Sequence, residues 1–233
     1  MRFTVKREEL LKALNISSRA VSSKVPYPVL KNLKFDLDER GLSITGSDYD
    51  ISIRTIVPYM SNGVEIIRNY KEGAVLLSAR LITEIIRKLD ADEITIDVVD
   101  STVAALTTSD NRSHYTLDCI RPEEYPDLDL EPNGSQITIS KKDFSTLVSQ
   151  TAFAASVKEQ RPILTALNIR TLEGKLIATA TDSARLAKKT IEINTGEVVV
   201  SNVPAKMMVE VDHLLEGSET VDVAFSDKKA LFT

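Results

Sequence analysis

The tripeptide Pro28-Val29-Leu30 recurs as Pro162-Ile163-Leu164, 134 residues further along the chain. The same offset aligns, without a gap, apolar and charged positions from Val5 to Asp48 with a second stretch of sequence. The aligned pairs are Val5 and Ile139, Arg7 and Lys141, Leu10 and Phe144, Ala20 and Ala154, Lys24 and Lys158, Leu33 and Leu167, Phe35 and Ile169, Leu42 and Leu176, Thr45 and Thr179, and Asp48 and Asp182. A register of this length indicates a repeated structural unit.

Further along, the offset between the two copies is 126. Ala79-Arg80-Leu81-Ile82 matches Ala205-Lys206-Met207-Met208, and Leu89 matches Leu215. The chain of 233 residues is therefore predicted to contain two copies of one module, which agrees with about 100–200 residues per domain.

In each copy, some segments have hydrophobic residues at the alternating spacing of strands and others have them at helical spacing. In the first copy, Met1–Val5, Leu33–Leu37 and Leu42–Thr45 alternate as strands do, whereas Arg7–Val21 and Ala79–Leu89 show helical spacing. The apolar stripe predicted for the second helix consists of Leu81, Ile82, Ile85, Ile86 and Leu89. The pattern predicts an α+β fold, in which each module packs two helices on antiparallel sheets.

A cluster of turn-forming residues marks the domain boundary. Pro126, Pro132, Asn133 and Gly134 fall close together. We therefore predict module 1 at 1–127, a linker at 128–134 and module 2 at 135–233. The segment that closes the first copy, 113–127, has no counterpart before residue 233. From this comparison, module 2 is expected to be incomplete at its C-terminus.

The composition excludes several classes of protein. Hydrophobic residues make up 42% and charged residues 27%, which argues against a disordered tail or a coiled coil. No apolar run approaches the roughly 20 residues of a membrane span, and the N-terminus has no apolar signal region. A cytoplasmic protein without membrane partners is expected. Cys119 is the single cysteine, so neither an internal disulfide nor a cysteine-based metal site is possible.

A search for catalytic motifs finds none. His114 and His213 have no metal-ligand spacing. The segment Gly41–Gly46 has the glycine spacing of a phosphate loop but lacks its lysine, so both residues are interpreted as turn glycines of a hairpin. Thr181-Asp182-Ser183 aligns with Ser47-Asp48-Tyr49 and shares only the aspartate, which indicates a turn-capping role. No catalytic residue, metal or cofactor is predicted.

Positive charge is concentrated on the predicted helices and on the loops that follow them. The residues concerned are Arg7, Lys12, Arg19, Lys24, Arg80, Arg87, Lys88, Lys141, Lys142, Lys158 and Lys206. A basic helical layer could bind a polyanion, although solvated helix faces carry the same residues. The net charge of −5 by itself argues against nucleic acid. Aromatic residues at 5% and the absence of tryptophan offer no stacking platform for single strands.

Several motifs together resemble the bacterial DNA sliding clamp family, the β subunit of DNA polymerase III. They are the N-terminal segment 1–11, Pro28-Val29-Leu30, the segment 42–48, Arg121-Pro-Glu-Glu-Tyr-Pro-Asp127, Arg161-Pro-Ile-Leu164 and the segment 180–186. The resemblance covers the whole chain. It implies three modules per full-length protein, a head-to-tail homodimer that forms a ring with helices around its hole, no cofactor and no catalysis.

The resemblance also implies the site residues and partners. Duplex DNA would be bound without sequence preference by Lys12, Lys24, Arg80, Arg87, Lys158 and Lys206. DNA polymerase and clamp-loader subunits would dock short peptide motifs in a pocket that includes Leu164, Thr181, Ser183, Ala184, Arg185 and Leu186. The dimer interface would include Tyr115 and Leu117. Without the resemblance, Leu164 and Leu186 would be interpreted as ordinary core residues.

Two other functions remain open at this point. A tandem-module adaptor that binds proteins but no DNA would agree with the net charge of −5. The third hypothesis is an enzyme that uses Asp182 or His213. Loss of DNA binding on mutation of the helix and loop lysines is expected only for the clamp.

Overall fold

The computed structural model describes residues 1–100, 102–158, 160–215 and 217–233. The chain divides into two compact units, Met1–Leu128, called unit 1, and Asp129–Thr233, called unit 2. Each unit has its own buried hydrophobic core, so each is described by itself.

Unit 1 begins with a strand that leads directly into a helix. Its described strands are β1 (Arg2–Lys6), β2 (Asn32–Asp38), β3 (Gly41–Ser47), β4 (Ser52–Val57), β5 (Met60–Ser61), β6 (Val64–Glu65), β7 (Ile67–Lys71), β8 (Gly73–Ser78), β9 (Glu93–Val98), β10 (Val103–Thr108) and β11 (His114–Ile120). Its α-helices are α1 (Arg7–Ser17) and α2 (Ala79–Lys88), and 3-10 turns cover Ser18–Ala20, Pro28–Lys31 and Pro122–Glu124.

Unit 2 follows the same order of elements. Its described strands are β12 (Ser135–Ser140), β13 (Ala166–Leu172), β14 (Lys175–Thr181), β15 (Leu186–Glu192), β16 (Val200–Pro204), β17 (Thr220–Phe225) and β18 (Ala230–Phe232). Its α-helices are α3 (Lys141–Thr151) and α4 (Ala205–Leu214), with 3-10 turns at Ala152–Ala154 and Pro162–Thr165.

The element bounds reproduce the two sequence offsets. Helices α1 and α3 are 134 residues apart at both ends, and α2 and α4 are 126 apart at both ends. The eight-residue difference arises between β4 and β8, where unit 1 contains the β5–β6 hairpin and β7. In unit 2 the corresponding connection, 193–199, contains no regular strand. The predicted α+β fold with a duplicated module is confirmed.

All described strand pairs are antiparallel. In unit 1 the order β4-β3-β2-β8-β11-β10-β9-β1-β7 forms one nine-stranded sheet over the described residues. Strand β11 joins its halves, because it pairs with β10 over 114–118 and with β8 at Cys119 and Ile120. Unit 2 has two separate sheets in its described part, β12-β17-β18 and β15-β14-β13-β16.

Each pair of helices is joined by polar contacts. The Arg7 guanidinium at the start of α1 donates to the carbonyl of Ile86 in the last turn of α2, at 3.3 Å, and to that of Ala91 in the following loop, at 3.1 Å. In unit 2 the Ser145 hydroxyl on α3 donates to the Asp212 carboxylate on α4. A cationic donor suits the carbonyls at a helix C-terminus, because the last carbonyls have no intrahelical partner and carry partial negative charge.

Two details of the sequence prediction are wrong. Leu81 was placed in the buried stripe of α2 but is 53% exposed, whereas Ile82 and Ile86 are fully buried. Gly46 was interpreted as a turn glycine but lies inside β3, where a Cβ atom would stand 2.2 Å from the Ser17 carbonyl oxygen. The α1 backbone therefore approaches β3 too closely for a side chain at this position.

Candidate nucleic-acid and peptide interfaces

The two loop lysines predicted to bind DNA occupy equivalent places. Lys24 is exposed and its amide donates to the Ser22 hydroxyl at 3.2 Å. Lys158 is also exposed, and its amide donates to the Ser156 hydroxyl at 3.1 Å. The same Ser-x-Lys turn thus presents one ammonium group in each unit. The fold preserves the local geometry along with the charge.

The helix cations of unit 1 are exposed but have partners. The Lys12 ammonium lies 2.8 Å from Glu9 Oε1, and this hydrogen bond raises the pKa of Lys12. Arg80 Nε lies 3.5 Å from Glu84 Oε1 one turn along α2. Such exposed ion pairs contribute little to stability, so a phosphate can compete with them.

Arg87 connects the two helices of unit 1. Its Nη2 donates to Asn15 Oδ1 at 3.0 Å, so the guanidinium on α2 is held beside α1. The partner is a neutral amide, which leaves the positive charge uncompensated by this contact. The remaining donors of the planar guanidinium suit phosphate oxygens.

The equivalent helix in unit 2 has a different charge balance. Arg80 corresponds to Lys206, which is exposed on α4, but Arg87 corresponds to His213. Helix α2 carries Arg80, Arg87 and Lys88 with one acid, whereas α4 carries Lys206 with Glu210 and Asp212. The helices of unit 1 are therefore the more positive pair.

Five of the six residues predicted to form the peptide pocket lie at the turn between β14 and β15 or at its ends. The Asp182 Oδ1 atom accepts from the amides of Ala184 and Arg185 at 3.0 and 2.9 Å, and these donors lower the pKa of Asp182. The Thr181 hydroxyl donates to the Arg185 carbonyl at 2.7 Å. Ser183 has a φ of 79°, a left-handed conformation. The predicted turn-capping role of Asp182 is confirmed.

Exposed apolar residues accompany this turn. Leu186 begins β15 and is 67% exposed, so its interpretation as a core residue is wrong. Leu164 is partly exposed in the 3-10 turn that lies against β14, and its carbonyl accepts from the Ser156 amide at 2.8 Å. The structure thus places Leu164 beside the strand that ends at Thr181.

Phe153 is a residue of this surface that the sequence reasoning missed. It is exposed, and the Arg185 guanidinium lies over its ring at 5.8 Å from the centroid. The 3-10 turn that contains Phe153 also contacts β14. Its equivalent in unit 1 is Arg19. The replacement of a cation by an aromatic residue between the aligned copies could have identified Phe153 from the sequence.

The two residues predicted for the dimer interface lie on β11. Tyr115 is 41% exposed and Leu117 is partly buried. Over 114–118 the strand pairs with β10, and no second strand pairs with this segment in the described part of the chain. Its outer edge offers backbone groups that another strand could pair with.

The described residues contain no group of three or more His, Cys, Asp or Glu side chains that could hold a metal ion. None of their helices is long and apolar enough to cross a membrane.

His114 lies on β11, where its ring nitrogens contact the Thr107 hydroxyl and the Asn111 carbonyl at 3.4 and 3.1 Å. Burial raises the pKa of the Cys119 thiol, which disfavours the reactive thiolate.

Solved structures share this architecture. The DNA polymerase sliding clamp of Bacillus subtilis matches 100% of this chain and 62% of its own, with a TM-score of 0.95 and 30% identity. The β subunit of the Streptococcus pyogenes DNA polymerase matches 100% of this chain and 61% of its own, with a TM-score of 0.90 and 31% identity. The duplicated module is therefore the sliding-clamp fold.

The family follows from the sequence comparisons. Residues 1–129 match the N-terminal domain of the DNA polymerase III beta subunit, and residues 138–233 match its central domain. The beta sliding clamp of Halalkalibacterium halodurans is 35% identical over 237 residues, and that of Staphylococcus aureus is 32% identical over 234. The chain belongs to the DNA polymerase III beta subunit family. It spans 62% of the length of these relatives.

Proposed function

We propose that this chain acts in a DNA polymerase processivity factor, a sliding clamp that encircles duplex DNA and tethers polymerase and other replication or repair proteins. The observation that carries the proposal is the repetition of cations at equivalent positions in a member of this family. Lys24 and Lys158 share one turn geometry, and Arg80 and Lys206 share one helix position. A repeated cation suits a repeating phosphate backbone.

The chemistry of these cations suits sliding. Exposed lysine and arginine side chains bind phosphates without reading the bases, so the contact has no sequence preference. A closed ring remains on DNA because of its topology, so weak contacts suffice. The net charge of −5 is compatible with this proposal, because only six of the 34 acidic residues lie on the four described α-helices.

The clamp needs no catalytic group and no cofactor of its own. It acts on the polymerase by raising the local concentration of the enzyme at the primer end. We infer that short peptide motifs of polymerase and clamp-loader subunits bind at Leu164, Thr181, Ser183, Ala184, Arg185 and Leu186, with Phe153 beside them. The exposed apolar side chains there support this role.

The ring would close as a head-to-tail homodimer of the full-length protein. The outer edge of β11 at Tyr115 and Leu117 supports this assignment, because an unpaired strand edge can accept a strand of a second chain. A role on bacterial chromosomal DNA implies a cytoplasmic location.

A charge-reversal experiment tests the DNA contacts. The double variant Lys24→Glu/Lys158→Glu and the matched control Lys188→Glu/Lys175→Glu change the net charge equally, but the control residues lie on β15 and β14. Fluorescence anisotropy with a labelled 30-base-pair duplex should show weak binding by the native chain, with a log–log salt slope near −0.9 per phosphate contacted.

The loop variant should reduce the magnitude of this slope by about two and weaken binding, because two phosphate contacts are lost. The strand variant should retain most of the affinity. Equal losses in both variants would contradict the proposed DNA contacts. An absence of DNA binding by the native chain at low salt would favour the adaptor function.

A further inference from the structure

Two tyrosines that are distant in sequence meet on the surface of unit 1. Tyr27 directly precedes the 3-10 turn Pro28–Lys31, and Tyr49 lies in the turn between β3 and β4. Their ring centroids are 5.7 Å apart and the ring planes are inclined by 61°, which is an edge-to-face contact. Each residue of this tyrosine pair is more than half exposed. The aromatic content of 5% predicts no stacking platform, whereas the fold brings two exposed rings together.

The backbone holds Tyr49 in an uncommon conformation. Its φ of 86° lies in the left-handed region, which bulky side chains rarely adopt. The Tyr49 amide donates to the Ser47 hydroxyl at 3.0 Å, and the Ile51 amide donates to Asp48 Oδ1 at 2.8 Å. The equivalent turn of unit 2 has the same conformation at Ser183, with a φ of 79°. The turn is thus common to both units, but only in unit 1 does it present an aromatic ring.

Two lysines accompany the tyrosine pair. Lys24 and Lys31 are exposed and lie in the segment 21–31, which contains no acid. On the other side of the pair Asp50 is exposed, whereas Asp48 Oδ1 accepts backbone amides. Proteins that bind single-stranded nucleic acid combine exposed rings with cations, because bases stack on the rings and phosphates contact the cations.

A second pair of tyrosines in unit 1 provides a contrast. Tyr59 and Tyr70 have ring centroids 4.4 Å apart, and Tyr70 is more than half exposed. Burial raises the pKa of Tyr59, and the nearby Tyr70, Glu72 and Asp38 raise it further. The charges that act on this hydroxyl are therefore negative. The pair formed by Tyr27 and Tyr49 suits a polyanion better.

We propose that the tyrosine pair is a binding site for unpaired nucleotides of single-stranded DNA, in which a base stacks on Tyr27 or Tyr49 and the flanking phosphates contact Lys24 and Lys31. The inference rests on the DNA contact proposed above for Lys24 and extends it from duplex to single-stranded DNA. The contact has no sequence preference, because every base has a π-face. A duplex that continues as a single strand would therefore make two kinds of contact with unit 1.

Oligonucleotides with and without bases test the stacking. Fluorescence anisotropy compares a labelled 12-nucleotide strand of deoxythymidine with an abasic strand that has the same phosphates. The native chain should bind the deoxythymidine strand roughly fivefold to a hundredfold more tightly, the range expected for one stacked base. Tyr27→Ala and Tyr49→Asn should remove most of this preference and leave the affinity for the abasic strand unchanged. Asparagine is used at position 49 because it tolerates the left-handed conformation.

The second tyrosine pair supplies the matched control. Tyr70→Ala removes a ring as exposed as that of Tyr27 and should leave the preference for bases unchanged. Tyr27→Phe, which retains a ring for stacking, should also leave it unchanged. Lys24→Ala should instead weaken the binding of both strands and reduce the magnitude of the salt slope by about 0.7, the value per phosphate for single strands. Thermal unfolding followed by circular dichroism checks that each variant is folded.

The outcomes distinguish this site from the proposed clamp function. Equal affinity of the native chain for the two strands, or no binding of either, would overturn the proposal and leave the tyrosine pair as a contact surface for protein. Equal losses in Tyr27→Ala and Tyr70→Ala would also overturn it. If the duplex binds through Lys24 and Lys158 but no preference for bases is found, only the single-strand site fails. If the preference for bases is found but the duplex does not bind, the clamp function fails and the single-strand site is supported.

Discussion

Units 1 and 2 share the order of their common elements but differ at several equivalent positions. In unit 1, β11 pairs with both β10 and β8 and joins two half-sheets, and Tyr125 then covers Leu30. In unit 2, two sheets remain separate over the described residues, and Leu164 is partly exposed. The repeat thus preserves the scaffold, whereas equivalent positions such as Leu30 and Leu164 differ in burial.

The largest expected difference concerns two equivalent leucines. Leu30→Ala should lower the free energy of unfolding of unit 1 by about 2–5 kcal/mol, because Leu30 is fully buried. Leu164→Ala should cost unit 2 less than about 1 kcal/mol, because Leu164 already contacts solvent. All six tyrosines lie in unit 1 and the chain has no tryptophan, so tyrosine fluorescence during urea unfolding reports on unit 1. Circular dichroism follows both units. Equal costs would contradict the comparison.

Alkaline pH should destabilise unit 1 through Tyr125. Burial raises the pKa of this hydroxyl from 10.0 to about 12. As pH rises, the unfolded chain therefore loses the proton first, so stability is unaffected below about pH 10. About 3 kcal/mol is then lost between pH 10 and 12.

Urea unfolding followed by circular dichroism at a series of pH values measures this loss. Tyr125→Phe should abolish the Tyr125 contribution while retaining the packing of the ring. A variant with the same alkaline loss as the native chain would assign the effect to other groups, such as Tyr59, whose pKa burial also raises.

Gly46→Ala should destabilise unit 1 by about 1–3 kcal/mol, because the new methyl group would meet the Ser17 carbonyl at 2.2 Å. The counterpart in unit 2 is Ala180, which is buried without difficulty. Gly196→Ala is the matched control, since nothing lies within 4 Å of its Cβ position. Thermal unfolding of both variants decides the point, and a neutral Gly46→Ala would show that α1 can shift away from β3.

The smallest effect should distinguish Arg87 from His213. An arginine carries a permanent charge and a planar set of donors for phosphate, whereas His213 shares α4 with Glu210 and Asp212. At pH 8, Arg87→Ala should weaken duplex binding a few-fold and reduce the salt slope by about one, whereas His213→Ala should change neither appreciably. His213→Arg should strengthen binding. Equal effects of the two alanine variants in the anisotropy assay would refute the charge difference between the units.

Much of the fold could be predicted from the sequence because the repeat shows the hydrophobic pattern of each shared element twice. The start of α1 at Arg7 and of α2 at Ala79 followed from the change of hydrophobic period. The aspartate shared by both copies at 48 and 182 identified a turn before its hydrogen bonds were known. Charge and spacing alone did not indicate the proposed function, for which the family resemblance was needed.

The remaining details depend on contacts distant in sequence. Gly46 is required because the α1 backbone lies too close to β3 for a side chain at this position. The sequence around β3 does not show this contact. Leu81 follows helical spacing yet is exposed, because the core contacts a narrower stripe of α2 than periodicity suggests. Phe153 and Arg185 meet through two turns that are far apart in sequence. The roles in DNA and peptide binding remain predictions.

The contact between Arg87 and Asn15 would affect the entropy of the proposed DNA binding. A free arginine gives up as much as about 2 kcal/mol of rotamer freedom when it is immobilised. Because Asn15 Oδ1 already accepts from Arg87 Nη2, part of this freedom is lost when unit 1 folds. A phosphate that binds Arg87 therefore orders less of the side chain than one that binds Lys24, whose ammonium extends from a loop. Arg87 would provide a fixed charge past which successive phosphates can move with little side-chain rearrangement.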